Sequence, residues 1–180
     1  MIERRPGEGR YAHLEREQRW IVAGVPADAQ WRCEILDRYI VGSRLRLRRA
    51  RTADETVYKL GQKVRVVESD PELVKLTNMY LSAEEYDALS RLPAAVVDKT
   101  RWTASSAGVD VAIDEFHGHL RGLVLGETEL SSDAGLLALP ELALRDVTHD
   151  DRFSGGALAG MAGAELADLL AEAASAPRGR

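Results

Sequence analysis

The chain has 180 residues, of which 45% are hydrophobic and 29% charged, a composition typical of a globular domain with a substantial core. Its formal net charge of -5 argues against nucleic acid as the main partner. The sequence contains no run of about 20 apolar residues, so we expect no membrane-spanning helix and no membrane partner. The single cysteine, Cys33, cannot form an internal disulfide or a cysteine-rich zinc site.

The length favours one domain over residues 1–180, with a core at about 13–159. We expect residues 1–12 to be a flexible lead-in and residues 160–180 to form a C-terminal helix and tail. The first ten residues, "MIERRPGEGR", are charged and lack the apolar run of a signal peptide, which predicts a cytoplasmic location. The chain is expected to be a monomer or a homodimer.

Hydrophobic alternation predicts about eight strands joined mostly by short turns, with few helices. A helix over 82–92 is marked by Ser82 and Glu85, which form a capping box. Further helices are predicted at 26–34, which begins with Pro26, near 133–138, and in the Ala-rich stretch 163–174. The predicted strands, in chain order, lie within residues 13–22, 35–41, 43–51, 55–66, 72–81, 94–103, 108–116 and 120–130. This order indicates an α+β chain, mainly β, built as an antiparallel sheet or barrel.

The stretch "SRLRLRRAR" alternates arginine with leucine at the two-residue period of a strand. Arg44, Arg46 and Arg48 therefore share one face, and Leu45 and Leu47 share the other. For a single strand, the ordinary interpretation is that the charged face points to water. The alternative is a cavity that holds phosphate.

Similar charged faces recur on other predicted strands, and neighbouring positions often carry one sign of charge. Like charges on one strand repel, so opposite charges are expected to lie between them. A closed barrel with a polar interior satisfies this requirement when cations on some strands meet carboxylates on others. The further charged positions that share a strand face are Glu15, Glu17 and Arg19; Lys59 and Lys63; Lys99 and Arg101; Asp110 and Asp114; and Glu127 and Glu129.

The order of these motifs resembles that of the CYTH superfamily, the triphosphate tunnel metalloenzymes. "EREQR" resembles the family's Glu-x-Glu-x-Lys, and "LRLR" resembles its Val-Arg-Val-Arg strand. "VYKLGQK" resembles the following basic strand, and "DKTRW" resembles Glu-Lys-Thr-Arg-Tyr. The resemblance continues through "IDEFHG", "GLVLGETE" and "DVTHDDRFSGGALA", and it covers about residues 13–159.

This resemblance implies an eight-stranded antiparallel closed barrel, a tunnel open to solvent with helices packed outside. It implies a hydrolase that acts on a triphosphate compound or polyphosphate with Mg²⁺ or Mn²⁺ as cofactor. Arginine and lysine suit phosphate, and paired carboxylates suit a hard divalent ion. The implied catalytic residues are Glu15, Glu17 and Arg19; the implied metal ligands are Glu15, Glu17, Asp114, Glu127 and Glu129; and the implied phosphate-binding residues are Arg46, Arg48, Lys59, Lys63, Lys99 and Arg101.

The chain departs from the family pattern at three places. Arg19 stands where the family has lysine, and an arginine can orient a water but cannot act as a base. The family's acidic strand before the capped helix is here "TNMYLS", without a carboxylate, and Ala112 replaces a family glutamate. These changes leave three alternatives open beside hydrolysis: a non-catalytic polyphosphate or nucleotide binder, an adenylate cyclase, and a barrel whose charges are structural.

Overall fold

The computed structural model describes residues 12–67, 70–106, 108–131, 137–138 and 140–175. The lead-in predicted for residues 1–12 and the helix predicted near 133–138 fall mainly outside these residues. The strands are β1 (Ala12–Val22), β2 (Gln30–Ile40), β3 (Leu45–Arg51), β4 (Thr56–Val67), β5 (Asp70–Leu81), β6 (Ala94–Ser106), β7 (Val109–Phe116), β8 (Val124–Leu130) and β9 (Ala143–Asp146). The helices are α1 (Ala83–Ser90), α2 (Gly155–Gly160) and α3 (Gly163–Ser175), with short 3-10 helices at Gly118–Leu120 and Asp151–Phe153.

Eight strands close into an antiparallel barrel in the order β1-β5-β4-β3-β2-β6-β7-β8, and β8 pairs again with β1. The first part of β1 pairs with β5 and its later part pairs with β8, with Arg16 pairing to both. The short strand β9 adds to the end of β1, through Trp20, Ile21 and Val22. The predicted fold, mainly β with a closed eight-stranded antiparallel barrel, is confirmed.

The N-terminus of α1 forms as the sequence predicts. The Ser82 side chain accepts a hydrogen bond from the Glu85 backbone N–H, and the Glu85 side chain accepts one from the Ser82 N–H. This reciprocal pair satisfies two backbone donors that a helix start otherwise leaves free. Tyr86 then packs on the outside of the barrel, with its ring centroid 4.7 Å from that of Tyr58 on β4.

The helix predicted at 26–34 is wrong, because the structure has a turn there followed by β2. Trp31 pairs with Trp102 and Cys33 pairs with Arg101 of β6, with a bulge between the two β2 positions. A bulge inserts an extra residue and interrupts strict alternation, which hides the strand period from the sequence. Cys33 therefore belongs to the barrel wall, and not to an outer helix.

Two apolar clusters frame the barrel. Outside the wall, Trp20, Val111 and Ile113 are buried together and Trp102 packs against them. A second cluster joins interior-facing residues of β6 to β8, such as Val97, Phe116 and Leu125, to residues Phe153 and Leu158. The segment 147–160, which carries the last two, thus lies against one end of the barrel interior. In the part of the chain that is described, no helix is both long and apolar enough to cross a membrane.

Candidate functional site

The barrel interior holds a cavity of about 730 Å³. Nine cationic and seven acidic side chains line it, counted over the residues that the structure describes. The cations are Arg19, Arg44, Arg46, Arg48, Lys59, Lys63, Arg65, Lys99 and Arg101, and the acids are Glu15, Glu17, Asp37, Glu127, Glu129, Asp150 and Asp151. Arg46 and Arg48 of β3, and Arg44 just before the strand, therefore point into the cavity, and the leucine face points outward.

The cavity brings together eleven of the twelve residues that the sequence singled out for the site. All six implied phosphate-binding cations line it, as do Arg19 and the four glutamates implied on β1 and β8. Asp114 is the exception, because it is buried behind the cavity surface with 1% of its surface exposed.

Both carboxylate oxygens of Asp114 accept hydrogen bonds from cationic side chains. Arg101 donates to them from Nε at 2.7 Å and from a terminal nitrogen at 2.6 Å, and Lys99 Nζ donates to Oδ2. Burial alone raises the pKa of a carboxyl group, yet Lys99 and Arg101 hold the pKa of Asp114 below its ordinary value. This carboxylate is therefore ionised and accepts hydrogen bonds from both Lys99 and Arg101.

Glu127 lies between two arginines. Arg19 Nε donates to Glu127 Oε1 at 2.8 Å, and Arg101 donates to Oε2 at 3.0 Å. Despite burial, which raises a carboxyl pKa, Arg19 and the cations of β6 hold the pKa of Glu127 well below its ordinary value. Glu127 is thus an ionised acceptor at the centre of the barrel wall.

Arg19 contacts three groups with three different nitrogens. Besides Nε on Glu127, one terminal nitrogen donates to Glu17 at 3.4 Å and the other donates to the Phe153 carbonyl at 3.4 Å. Its backbone N–H also donates to the Thr148 hydroxyl at 3.0 Å. Although burial disfavours its charge, Glu127 and Glu17 raise the pKa of Arg19 above its ordinary value. Arg19 therefore joins the wall of the barrel to the segment 147–160.

The two acidic residues of β1 meet a lysine from β4. Lys63 Nζ donates to both oxygens of Glu17 at 2.9 Å and lies 3.1 Å from Glu15 Oε2. That Glu15 oxygen is buried without a hydrogen bond. Glu129 lies directly opposite Glu17 in the β1–β8 register and faces the cavity. Two like charges in this position repel unless a cation lies between them.

Asp37 is a cavity residue that the sequence analysis missed. It accepts two hydrogen bonds from Arg48, both at 2.7 Å, and lies 3.8 Å from Arg46 Nε. Burial alone raises its pKa, but Arg48 holds the pKa of Asp37 well below its ordinary value. The alternation within "ILDRYIV" places Asp37 and Tyr39 on one face, and this was the signal that could have identified them.

The buried ion pairs of the barrel follow the strand register. Asp37 is opposite Arg48, Arg101 is opposite Asp114, and Arg19 is opposite Glu127. Residues in this position have their Cβ atoms about 5 Å apart, close enough for charged side chains to meet across the wall. The barrel interior is thus a network of cross-strand pairs, with additional cations around it.

The acidic residues do not form a ready-made metal cluster. Within the described ranges, no group of three or more His, Cys, Asp or Glu side chains is placed to hold a metal ion. The donor chemistry nevertheless fits a hard divalent cation, because Glu17 and Glu129 oppose each other and a Glu15 oxygen lacks a hydrogen bond. Such an ion has to displace Lys63 from Glu17.

The barrel has the fold of the protein NE1496. One solved structure, described as the hypothetical protein NE1496, matches 82% of this chain and 99% of its own with a TM-score of 0.55 and 25% identity. A second, described as the inorganic triphosphatase NE1496, matches 81% of this chain and 93% of its own with a TM-score of 0.54 and 24% identity. No protein-family model and no curated protein sequence matches the chain. The shared barrel confirms, at the level of fold, the resemblance to the CYTH superfamily that the sequence motifs indicate.

Proposed function

We propose that this chain hydrolyses triphosphate compounds, most simply inorganic triphosphate, with Mg²⁺ or Mn²⁺. The observation that carries the proposal is a single barrel cavity lined by both phosphate-binding cations and metal-binding carboxylates. Likeness to the fold of NE1496, described as an inorganic triphosphatase, supports it.

The carboxylates best suited to the metal are those of β1 and β8. Glu15, Glu17, Glu127 and Glu129 all face the cavity, and the opposition of Glu17 to Glu129 favours a cation between them. Asp114, which the motifs also suggest as a ligand, has both oxygens bound by Lys99 and Arg101 and is less suited. When bound, the metal would neutralise phosphate charge and polarise a water.

The residues of the chain itself bind and orient the substrate. Arg46 and Lys59 offer donors to phosphate oxygens, while Arg48, Lys99 and Arg101 are held in place by carboxylates. Arg19 remains protonated, so we assign it the role of orienting Glu127 and Glu17, and it does not serve as the base. The leaving phosphate gains charge during phosphoryl transfer, and fixed cations around it stabilise that charge.

A non-catalytic binder is the second candidate, and one observation favours it. Glu17 and Glu127 are already bound to Lys63, Arg19 and Arg101, so a metal competes with cations of the chain. A barrel whose carboxylates stay paired can hold a polyphosphate or a nucleotide without cleaving it.

An assay of phosphate release distinguishes a hydrolase from a binder. Its substrates are inorganic triphosphate, ATP and thiamine triphosphate. The assay is run with Mg²⁺, with Mn²⁺ and with chelator, and cyclic nucleotide formed from ATP is measured in parallel. We expect metal-dependent release from inorganic triphosphate that Glu127→Ala abolishes. The control Glu34→Gln, at an exposed ion pair with Arg51, is expected to retain full activity. Folded protein that binds inorganic triphosphate without turnover is a binder, and cyclic product from ATP identifies a cyclase.

A further inference from the structure

The inner face of β5 ends in an exposed aromatic side chain, that of Tyr80. Tyr80 pairs with Lys59 in the β4–β5 register, so the two side chains lie on one face of the sheet, and Lys59 lines the cavity. The Lys59 Nζ lies 4.9 Å from the Tyr80 ring centroid, yet Tyr80 keeps 66% of its surface exposed. The ring therefore stands at the mouth of the cavity, beside a cation that lines it.

The fold makes little use of this ring. In the described part of the chain, Tyr80 belongs to neither apolar cluster and stacks on no other ring. The rings of Tyr58 and Tyr86, which do meet, lie on the opposite face of the sheet, where α1 covers it. Nucleobases stack on exposed aromatic side chains, because every base has a planar π face. Tyr80 is thus a platform for a base at the edge of the cavity.

The lining that β5 gives to the cavity is uncharged. Charged lining residues come from β1, β2, β3, β4, β6 and β8, whereas the described residues of β5 contribute Val74, Leu76 and Asn78. The lining residues of β7 are also uncharged, but Phe116 among them packs in an apolar cluster. An uncharged group that approaches along β5 strips no water from a charged side chain, which is costly elsewhere in this cavity.

Asn78 lies two residues from Tyr80 on the same face of β5. Its Oδ1 lies 2.7 Å from the position that a Cβ on Gly61 would take, so the amide oxygen is turned toward β4. The amide nitrogen, at the other end of the group, is left to a ligand in the cavity. An asparagine amide donates to ring nitrogens of a nucleobase, most readily those of adenine.

The length of β5 separates this mouth from the carboxylates expected to hold a metal. Glu15 pairs with Val74, six residues before Tyr80 on the same strand. A triphosphate that extends from Glu15 toward Lys59 therefore directs one end at the Tyr80 ring. The cavity of about 730 Å³ falls within the range of about 300–1,000 Å³ that holds small organic ligands, so it has room for more than phosphate.

We propose that the organic group of a nucleoside triphosphate binds at this mouth, with its base stacked on Tyr80 and a ring nitrogen hydrogen-bonded to Asn78. This inference rests on the proposed binding of triphosphate compounds and names a class among them, in which a planar base is joined to the phosphates. Inorganic triphosphate has no base and uses only the charged part of the cavity.

Two ligands that are not cleaved test the proposal. They are the imido analogues of ATP and of inorganic triphosphate, in which nitrogen replaces the bridging oxygen, and their binding is measured by calorimetry with Mg²⁺. We expect Tyr80→Ser to bind the ATP analogue about fivefold or more weakly, through lost stacking. Asn78→Ala is expected to bind it about threefold or more weakly, through one lost hydrogen bond. Neither change is expected to alter binding of the inorganic analogue.

Two further variants control for the ring and for the surface. Tyr80→Phe keeps the aromatic face and is expected to bind both analogues as wild type does. Met79→Ser alters the next residue of β5, which is also exposed but pairs with Leu60 on the outer face, and it is expected to change neither affinity. Thermal unfolding confirms that each variant is folded.

Four results would overturn the subsite. These are a wild type that does not bind the ATP analogue, unchanged binding of that analogue in Tyr80→Ser, unchanged binding in Asn78→Ala, and an equal loss of both analogues in Tyr80→Ser. The last result would mean that Tyr80 supports the phosphate-binding residues and not a base.

Phosphate release is measured separately on wild type, so the two proposals fail differently. Loss of the ATP analogue alone in Tyr80→Ser, without release from any triphosphate, retains the subsite and removes the hydrolase. Metal-dependent release from inorganic triphosphate, with unchanged binding of the ATP analogue in Tyr80→Ser, retains the hydrolase and removes the subsite.

Discussion

The wall formed by β1, β6, β7 and β8 differs from the wall formed by β3, β4 and β5 in how its charges are held. In the first, Arg19, Lys99 and Arg101 are hydrogen-bonded to Glu127 or Asp114. In the second, Arg48 and Lys63 donate to Asp37 and Glu17 of other strands, whereas Arg46 and Lys59 have no hydrogen-bonded carboxylate among the described residues. We call the first the paired wall, and the part of the second that carries Arg46 and Lys59 the open wall.

The difference assigns separate roles to residues of the same chemical type. A buried ion pair is strongly destabilising to break, because the remaining charge stays buried without its partner. A cation that donates no hydrogen bond to a carboxylate keeps its charge for a ligand and contributes less to the fold. Mutations on the paired wall are therefore expected to change stability first, and those on the open wall to change ligand affinity first.

The largest effect is expected at Asp114, on the paired wall. Asp114→Ala leaves Lys99 buried without its acceptor and Arg101 with Glu127 alone, and we expect a loss of about 3–5 kcal/mol in the free energy of unfolding. Urea denaturation measures it. Glu34→Gln, which removes an exposed pair with Arg51, serves as the control and is expected to lose less than about 1 kcal/mol. Similar losses in the two variants would remove the distinction between the walls.

Arg48 and Arg46 give the sharpest comparison, because they are two residues apart on β3. Arg48→Ala leaves Asp37 buried without its two hydrogen bonds, and we expect a loss of about 3 kcal/mol in unfolding free energy. Arg46→Ala removes the 3.8 Å ion pair to Asp37 but no hydrogen bond to a carboxylate, so we expect a smaller loss, of about 1 kcal/mol. For inorganic triphosphate in chelator, Arg46→Ala is expected to weaken binding about tenfold or more, equivalent to ~1.4 kcal/mol.

Denaturation and calorimetry on the same two proteins check this pair of expectations. The comparison fails when Arg46→Ala is the less stable variant, or when it binds triphosphate as tightly as wild type does. Arg46→Lys tests the contact further, because a lysine retains the charge and loses the planar fork that suits phosphate.

The sequence predicts the barrel and most of its interior because both depend on a two-residue period. The alternation in β3 places Arg46 and Arg48 on the inner face, and the same rule places Lys99, Arg101 and Glu127. The helix wrongly predicted at 26–34 shows where this rule fails, because a bulge between Trp31 and Cys33 breaks the period.

The sequence does not predict the pairing of these charges, because pairing depends on register. Arg101 meets Asp114 only because β6 and β7 align those two positions, and a shift of one residue would separate them. The alternation of β2 places Asp37 on the inner face, but its pairing with Arg48 likewise depends on the register of β2 and β3.

A smaller effect is expected from pH, through Asp37. Arg48 holds the pKa of Asp37 well below its ordinary value despite burial, so the ionised carboxylate stabilises the fold. That contribution is fully present above the ordinary carboxyl pKa of about 4 and is lost as the pH falls toward the folded-state pKa. The difference in unfolding free energy between wild type and Asp37→Asn should be constant above about pH 5 and shrink below about pH 4.

Denaturant titrations between pH 2 and pH 7 measure this difference, with Glu34→Gln as an exposed-acid control. A difference between wild type and Asp37→Asn that stays constant down to pH 2 would show that the pKa of Asp37 is the same in the folded and unfolded states. The pairing with Arg48 would then contribute no pH dependence to the fold.

The smallest effect is expected at Arg19, which belongs to the paired wall and which the resemblance to the CYTH motif aligns with a lysine. Arg19→Lys replaces three donor nitrogens with one. Glu127 keeps its hydrogen bond from Arg101, but a single lysine nitrogen cannot make every contact that Arg19 makes to Glu127, Glu17 and the Phe153 carbonyl. We expect a loss of about 1 kcal/mol in unfolding free energy, since each lost hydrogen bond is partly replaced by water. Turnover of inorganic triphosphate is expected to change by less than tenfold, because the arginine is protonated and does not act as the base. Thermal unfolding and the dependence of turnover on pH measure both quantities.

A large gain in turnover, with a new dependence on pH near the lysine pKa, would show that a lysine at this position can act as a base, which arginine cannot do. A loss of stability alone places Arg19 with Asp114 and Glu127, as a residue that holds the paired wall together.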